Sequence, residues 1–249
     1  MHQQTVGLIG YPLAQSFSNK YFSAKFQELG LMNFQHVVCP MQTVAEGLPA
    51  MLNDYPNLLG FNVTIPHKEN ILPFLDEQHE VVQKMAACNC VRVKGGNLIG
   101  YNTDVIGFKQ SLLPLLQSDH SKALILGTGG ASKAVQFVLE ELGIEYVLVS
   151  RKKDGEKTIT YAELTEEIIQ NYRLVVNTTP LGMYPNIDAC PDLPYSFLGE
   201  KHLCYDLIYN PEETLFLKKS KEAGAVIKNG YEMLIIQAEE SWRIWNDSV

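Results

Sequence analysis

Residues 123–143 read ALILGTGGASKAVQFVLEELG, and this stretch indicates both a fold and a ligand. A short apolar strand enters a glycine-rich turn, and the residues after the turn have the apolar spacing of an amphipathic helix. Gly127 and Gly129 permit a tight turn and the close approach of a pyrophosphate to the free N–H groups of the helix N-terminus. Ser132 stands where the third glycine of G-x-G-x-x-G would be. Because strand and helix flank the turn in the right order, dinucleotide binding is favoured over a structural glycine turn.

The next strand, YVLVS at 146–150, indicates which dinucleotide binds. An NAD site generally has an acidic residue at the end of this strand, which accepts hydrogen bonds from the ribose hydroxyls. This chain instead has Ser150 followed by Arg151, Lys152 and Lys153. A guanidinium can hold the additional 2′-phosphate of NADP through paired hydrogen bonds. A solvated basic turn is the alternative, but the position after the second strand favours NADP.

Strand-like and helix-like segments alternate along both halves of the chain, as in α/β proteins. A first series fills the first hundred residues, and a second series follows from about residue 105. Two such series predict two α/β lobes: an N-terminal lobe with a mainly parallel sheet and a second lobe with a Rossmann-type sheet. The predicted strands of the first lobe are 5–10, 34–38 and 58–65, with a hairpin that turns at 94–97. Periodicity alone does not decide on which lobe the final helix, 232–245, packs.

Composition excludes several classes of function. The 249 residues are 46% hydrophobic and 19% charged, as in ordinary soluble globular proteins, and the net charge of −8 argues against binding to nucleic acid or a membrane surface. The five cysteines offer only one C-x-C pair, Cys88 and Cys90, so no zinc site is predicted. Reduced thiols, the absence of a signal peptide and the absence of a long apolar stretch predict a cytoplasmic protein.

Two serines precede the first long helix, within GYPLAQSFSNKYF at 10–22. Ser18 is predicted to cap the helix that runs to Leu29, and capping alone explains a single serine. Ser16 adds a second hydroxyl at the same helix N-terminus, where the dipole favours anions. A carboxylate site and simple capping are therefore both open interpretations.

The segment FNVTIPHKEN at 61–70 places Lys68 just beyond the end of a predicted core strand. Open α/β sheets bind ligands at this edge. Asp104 follows the hairpin where the chain enters the nucleotide lobe, and Asn89 and Thr64 lie near these positions. Hydride transfer between a nicotinamide and an alcohol needs a proton carrier at the oxygen, and a lysine beside an aspartate can serve. A structural ion pair is the alternative, but a cleft between a nucleotide lobe and a small-molecule lobe favours catalysis.

Several segments match the pattern of one family in the same order along the chain: Ser16-Phe-Ser18, FNVTIPHK, AACNC, NTD at 102–104, GTGGASKAV, VVNTTPLGM, YDLIYNP and NGYEMLIIQAEESW. On these segments, the chain resembles the shikimate dehydrogenase family along essentially its whole length. The resemblance implies an NADP-dependent oxidoreductase of aromatic biosynthesis that reduces 3-dehydroshikimate to shikimate. It also implies that the last helix returns to the first lobe, which gives a substrate domain of 1–104 with 232–249 and an NADP domain of 105–231.

The resemblance also implies a role for individual residues. Lys68 is implied as the general acid–base residue, with Asp104 on the substrate hydroxyls, and the implied carboxylate-binding pair is Ser16 and Ser18. The remaining substrate pocket is implied to contain Thr64, Asn89, Tyr209 and Gln237. The implied cofactor residues are Gly127, Thr128, Gly129, Gly130 and Ala131 at the pyrophosphate, Ser150, Arg151 and Lys152 at the adenosine phosphate, and Asn177, Thr178, Leu207 and Gly230 toward the nicotinamide.

Some positions depart from the family pattern, including Asn19 after the second serine and Val105 after NTD. None of these departures removes an implied catalytic group.

A quinate/shikimate dehydrogenase that uses NAD is an alternative function, as is a non-catalytic regulator that binds NADP or shikimate. The retained Lys68 and Asp104 argue against the regulator, and the cations after Ser150 argue against NAD. The expected partners are small molecules, and the expected state is a monomer or a homodimer.

Overall fold

A computed structural model describes residues 3–13, 17–153 and 155–246. The chain divides into two compact units: unit 1 contains residues 1–103 and 237–249, and unit 2 contains residues 104–236. Unit 1 therefore combines the two ends of the sequence. The domain ranges expected from the sequence, with their division into substrate and cofactor functions, stay predictions.

The described part of the chain forms twelve strands and eight α-helices, which alternate along most of the sequence. The strands are β1 (Gln4–Gly10), β2 (Phe34–Pro40), β3 (Leu58–Val63), β4 (Glu77–Gln78), β5 (Cys90–Lys94), β6 (Asn97–Tyr101), β7 (Lys122–Leu126), β8 (Glu145–Ser150), β9 (Thr158–Thr160), β10 (Leu174–Asn177), β11 (Leu203–Asp206) and β12 (Val226–Lys228). The helices are α1 (Phe17–Glu28), α2 (Val44–Asp54), α3 (Glu80–Met85), α4 (Thr103–Leu112), α5 (Gly130–Glu141), α6 (Glu166–Asn171), α7 (Leu215–Glu222) and α8 (Tyr231–Trp245).

The sheet of unit 1 has the order β2-β1-β3-β5-β6-β4. Strand β1 is parallel to β2 and β3, and β6 is parallel to β4, whereas β5 is antiparallel to β3 and β6. The predicted hairpin between β5 and β6 is present, and its turn is formed by Gly95 and Gly96 with φ angles of +60° and +88°. Positive φ at both positions is the requirement of a type I′ turn, one of the two usual two-residue hairpin turns, and glycine meets it without strain.

The sheet of unit 2 has the order β12-β11-β10-β7-β8-β9, and every neighbouring pair is parallel. Counted from β7, this is the strand order 3-2-1-4-5-6 of the Rossmann fold. The order reverses between β7 and β10, and ligands of such sheets bind at the carboxyl ends of the strands on either side of this point. The α/β class with a Rossmann-type second part is therefore confirmed.

The last helix completes the core of unit 1. Ala238, Ile244 and Trp245 of α8 pack in one apolar cluster with residues of β1, α1 and β5. The indole of Trp245 lies over Gly60 of β3, where an added Cβ would overlap the ring, and its Nε1–H donates to the Val91 carbonyl at 3.0 Å. Gly60 thus leaves the space that the tryptophan fills.

Two predictions near the candidate site were wrong. Strand β3 ends at Val63 and not at Ile65, because its pairing with β1 stops at Ile9 and Val63; the Ile65 side chain is 73% exposed. Helix α1 begins at Phe17, so Ser18 is its second residue and does not precede it as a cap. Ser16 lies outside the described residues.

The sequence pattern from about residue 105 predicts a helix that reaches Leu116, but α4 ends at Leu112, and a 3₁₀ turn follows over Leu113–Leu115. Pro114 explains the early end, because proline disfavours the α conformation in the residue before it and donates no hydrogen bond. None of the helices in the described ranges is long and apolar enough to cross a bilayer.

Candidate active site

The carboxyl ends of β1 and β3 are joined by main-chain hydrogen bonds that continue past the strands. The Thr64 N–H donates to Ile9 O at 3.0 Å, and the Tyr11 N–H donates to Ile65 O at 3.0 Å. The loop after β3 is therefore fixed at the edge of the sheet where ligands of parallel sheets bind.

His67 and Lys68 follow in this loop, and their side chains differ in how far they are buried. The His67 ring is 1% exposed, and its Nε2 lies 2.7 Å from the Met41 carbonyl oxygen, beyond the end of β2. Lys68 is half-buried, and its carbonyl accepts a hydrogen bond from the Cys88 N–H at 2.8 Å. The main chain at Lys68 is thus anchored beside the segment that leads to Asn89.

Asn89 and Gln237, both expected at the substrate, lie within hydrogen-bonding distance of each other. The Asn89 Nδ2–H donates to Gln237 Oε1 at 3.4 Å and to Thr103 Oγ1 at 3.1 Å. Asn89 Oδ1 accepts the main-chain N–H of Thr103, the first residue of α4, at 2.6 Å. The amide of Asn89 therefore satisfies one of the free N–H groups at the start of this helix.

Ser241 and Asn62 extend this network into the core, and sequence reasoning did not identify either of them. The Ser241 hydroxyl donates to the Gln237 carbonyl one turn earlier in α8, at 2.8 Å. Its oxygen accepts from Asn62 Nδ2 at 2.8 Å, and the same amide donates to the Asn89 carbonyl at 3.2 Å. Asn62, Asn89, Thr103 and Ser241 are all buried. A polar residue in the apolar run of β3 was the available signal for Asn62.

Gly127, in unit 2, is fixed directly after β7. Its φ is +104°, and its N–H donates to Val149 O at 2.9 Å. A Cβ at this position would lie 2.9 Å from Thr179 Cγ2 and 3.0 Å from Thr178 Oγ1. Both the backbone conformation and the close packing against the loop after β10 therefore require glycine.

The next two glycines leave open space at the start of α5. Gly129 is the N-cap residue of this helix, and a Cβ on Gly129 or Gly130 would meet no atom within 4 Å. Ser132 fits where a third glycine was expected, because its buried hydroxyl donates to Gly129 O at 2.6 Å. An uncapped helix N-terminus with this free space fits the diphosphate of a dinucleotide. Thr128 and Ala131 are exposed beside it.

The basic segment after β8 is exposed. Arg151 and Lys152 follow Ser150, the last residue of the strand. Lys153 lies 3.6 Å from Glu163 Oε1, with both side chains largely in solvent. Exposed ion pairs of this kind contribute little to stability, so separating Lys153 from Glu163 to bind a phosphate would cost little free energy.

The ends of β10 and β11 are joined by the buried carboxyl of Asp206. Asp206 Oδ1 accepts from Asn177 Nδ2 at 3.0 Å and from the Ile208 N–H at 3.0 Å, while Oδ2 accepts from Thr214 Oγ1 at 2.6 Å. Burial raises the pKa of Asp206 to about 6, although these three hydrogen bonds act in the opposite direction. Asn177 itself is fully buried, and its Oδ1 accepts from Thr179, so its amide contacts protein groups only.

The remaining residues expected along the cofactor lie on the loops after β10, β11 and β12. The Thr178 hydroxyl donates to Leu126 O at 2.8 Å. The Gly230 N–H donates to Ile208 O at 3.0 Å, and an added Cβ at Gly230 would overlap the Leu207 carbonyl.

Two further residues expected at the substrate differ in exposure. Tyr209 is exposed, whereas Asp104 is half-buried at the second position of α4. Across the residues that the structure describes, no group of three or more histidine, cysteine or acidic side chains could hold a metal ion.

Comparison with known proteins identifies relatives over the whole chain. Residues 8–91 match the family model of the shikimate dehydrogenase substrate binding domain. A shikimate dehydrogenase (NADP(+)) of Methanococcus maripaludis is 37% identical over 259 residues, which cover 96% of this chain and 90% of the relative.

Solved structures show the same fold. The shikimate 5-dehydrogenase of Thermus thermophilus, in complex with NADP(H) and shikimate, has a TM-score of 0.85 and 30% identity, covering 99% of this chain and 94% of that one. The quinate dehydrogenase of Corynebacterium glutamicum, in complex with NAD, has a TM-score of 0.86 and 25% identity, covering 100% and 95% of the two chains.

Proposed function

The chain belongs to the shikimate dehydrogenase family, and on this basis we propose that it catalyses the reversible reduction of 3-dehydroshikimate to shikimate with NADPH. The similarity of 37% over 96% of the chain to a shikimate dehydrogenase (NADP(+)) carries this proposal. The open space at Gly129 and Gly130 and the Arg151 side chain after β8 support the choice of an NADP-type dinucleotide.

When bound, NADPH would supply a hydride for the C3 carbonyl carbon of 3-dehydroshikimate. Lys68 is the proposed proton donor: its ammonium gives one proton to the C3 oxygen, which becomes the hydroxyl of shikimate. In the oxidation direction, neutral Lys68 accepts that proton. The anchored main chain at Lys68 supports this role, because a general acid must be held within hydrogen-bonding distance of the reacting oxygen.

The proposed substrate residues divide between charge recognition and hydroxyl recognition. Ser16 and Ser18 bind the carboxylate with their hydroxyls. Asp104 accepts a hydrogen bond from the substrate hydroxyl next to the reacting carbon. Thr64, Tyr209 and the linked amides Asn89 and Gln237 complete the pocket, and the 3.4 Å contact between the two amides supports their joint action.

The proposed cofactor residues follow the carboxyl edge of the Rossmann sheet. The main chain from 127 to 131 binds the pyrophosphate, and the segment from 150 to 152 binds the adenosine phosphate. Asn177, Thr178, Leu207 and Gly230 support or contact the nicotinamide half. A cytoplasmic location and a monomeric or homodimeric state remain predictions.

A quinate or shikimate dehydrogenase that uses NAD is the second candidate, and the similarity to the quinate dehydrogenase of C. glutamicum in complex with NAD favours keeping it. Initial rates with shikimate or quinate, each with NADP or NAD, separate the two. We expect the highest kcat/KM for shikimate with NADP. A higher value for quinate with NAD would replace the proposal by the second candidate, and no turnover with any pair would favour a non-catalytic regulator.

A further inference from the structure

We infer that Asp206 is a positioning residue for the pyrophosphate and nicotinamide of the cofactor, acting through Asn177 and Thr179 on the glycine-rich turn. This inference rests on the proposed function, because it assumes that NADP binds along unit 2. Asp206 is not expected to touch the cofactor, since its carboxyl is fully buried.

The carboxyl of Asp206 is the first member of a continuous series of contacts. Asn177 and Asp206 are paired residues at the ends of the parallel strands β10 and β11. The Asn177 amide donates to Asp206 Oδ1 at 3.0 Å, which fixes the direction in which its own Oδ1 points. That oxygen accepts the Thr179 N–H at 3.0 Å and the Thr179 hydroxyl at 2.7 Å.

The series ends at the turn that is proposed to bind the pyrophosphate. A Cβ on Gly127 would lie 2.9 Å from Thr179 Cγ2, so the loop after β10 is packed directly against this glycine. A shift of Thr179 toward Gly127 would close the space beside the turn. The orientation of the buried Asn177 amide therefore determines how the loop after β10 packs against the turn after β7. These are the two strands between which the strand order reverses.

The same carboxyl holds the start of the loop after β11. Oδ1 accepts the Ile208 N–H at 3.0 Å, and Gly230 in turn donates to Ile208 O at 3.0 Å. Leu207 and Gly230 are both proposed to lie along the nicotinamide half. By contrast, β8 and its basic segment lie on the other side of β7, outside this series of contacts. Loss of the carboxyl should thus weaken binding of the pyrophosphate and nicotinamide and spare binding of the adenosine 2′-phosphate.

The decisive measurement compares binding of NADP+ with binding of adenosine 2′-monophosphate, which has the adenosine and the 2′-phosphate but neither phosphate of the pyrophosphate. In Asp206→Ala we expect the dissociation constant for NADP+ to rise about tenfold or more, because buried donors lose their acceptor and the loops shift. The constant for adenosine 2′-monophosphate should change less than about twofold, since the segment proposed to bind its 2′-phosphate, 150–152, is not in contact with Asp206. Both constants are obtained by isothermal titration calorimetry.

Two variants separate positioning from simple loss of stability. Asp206→Asn keeps an oxygen for Asn177 and Ile208, and should restore NADP+ binding to within about threefold of the wild type. Thr214→Val removes only the donor to Oδ2 and the cap of α7, so it should lower the melting temperature and leave both dissociation constants unchanged.

If Asp206→Ala does not fold, Thr179→Val provides the test, because it keeps a methyl group beside Gly127 and removes the hydroxyl contact to Asn177. It should weaken NADP+ binding while sparing the adenosine fragment. Equal losses for both ligands, or no loss for either in a folded variant, would overturn the inference. Failure of the wild-type protein to bind NADP+ would instead contradict the proposed function.

Discussion

The candidate nucleotide site of unit 2 is formed by main-chain groups and empty space, whereas the candidate substrate site of unit 1 is formed by side chains that are far apart in the sequence. Gly127, Gly129 and Gly130 have no side chains to contribute, and the helix N-terminus after them supplies N–H groups. In unit 1, Asn89 contacts Gln237 from a position 148 residues earlier in the chain.

This difference determines how each site should respond to substitution. A main-chain site depends on the shape of the backbone and on free space, so added atoms damage it. A side-chain site depends on buried donors and acceptors, so removed atoms damage it, at a cost of about 1–3 kcal/mol for each group left unsatisfied.

The largest expected effect is on catalysis, from Lys68→Ala. We expect kcat to fall by about two to four powers of ten, which is the usual contribution of a positioned general acid, with a much smaller change in KM. Steady-state kinetics with shikimate and NADP measure both. Lys84→Ala is a matched control, because Lys84 is exposed and pairs only with Glu80 of the same helix at 2.6 Å in the described contacts. Near-normal turnover of Lys68→Ala would remove Lys68 from the mechanism.

A pair of glycine substitutions tests the main-chain site. Gly127→Ala should lower the free energy of unfolding by about 1–3 kcal/mol, because of its positive φ and the overlap with Thr179, and should weaken NADP+ binding as well. Gly129→Ala meets no protein atom within 4 Å, so we expect an unchanged melting temperature but NADP+ binding about tenfold weaker. Wild-type affinity in Gly129→Ala would show that the cofactor does not approach this turn.

Ser241→Ala tests the side-chain site. The substitution removes the acceptor of the buried Asn62 amide, so the free energy of unfolding should fall by about 1–3 kcal/mol. KM for shikimate should rise, because the Thr103 hydroxyl, which contacts both Ser241 and Gln237 Oε1, loses one partner.

Ser220→Ala in α7 is the control, because its buried hydroxyl donates to the carbonyl one turn earlier, Phe216 O, in the same way. Urea unfolding measures both variants. An equal loss in the free energy of unfolding would mean that the polar network around Ser241 contributes nothing beyond the hydrogen bond from the serine hydroxyl to the carbonyl one turn earlier.

The smallest expected effect is an opposite response of the two units to acid. Desolvation lowers the pKa of His36 in unit 1 from 6.5 to about 4. Between these two pH values the unfolded chain is protonated at His36 and the folded chain is not, so stability is lost as the pH falls through this interval. Burial raises the pKa of Asp206 in unit 2 from 3.8 to about 6, so here the folded chain binds the proton first, and stability is gained as the pH falls from about 6 toward 4.

Urea midpoints at pH 7 and pH 4.5 measure these two contributions. His36→Phe should lose less stability on acidification than the wild type, and Asp206→Asn should lose more. A shift in the same direction for both variants would contradict the assigned pKa changes.

The sequence predicted the nucleotide part better than the substrate part for a physical reason. In 123–143, the strand, the glycines and the helix are consecutive, so local rules of backbone conformation predict both the fold and the ligand. The Rossmann-type sheet around β7 followed from the alternating pattern in the same way. The end of β3 was misplaced because β-branched Thr64 and Ile65 favour a strand locally, whereas pairing with β1 stops at Val63.

The polar network of unit 1 could not be predicted from local patterns. Ser241 and Asn62 are 179 residues apart, and no rule of spacing connects them. The family resemblance implied Asn89 and Gln237, but not the groups that hold them. The local sequence is consistent with a helix that starts at Thr103, but only the folded chain shows that Asn89 Oδ1 accepts the Thr103 N–H.

The position of Trp245 has a consequence for synthesis on the ribosome. The indole fills the space above Gly60, and its ring nitrogen bonds to Val91, yet more than half of the chain is translated between these strands and the final helix. The first six strands therefore emerge with part of their apolar surface uncovered, and the whole sheet of unit 2 is made before α8, the helix that covers this surface. The core of unit 1 can therefore be completed during translation only after α8 has been made.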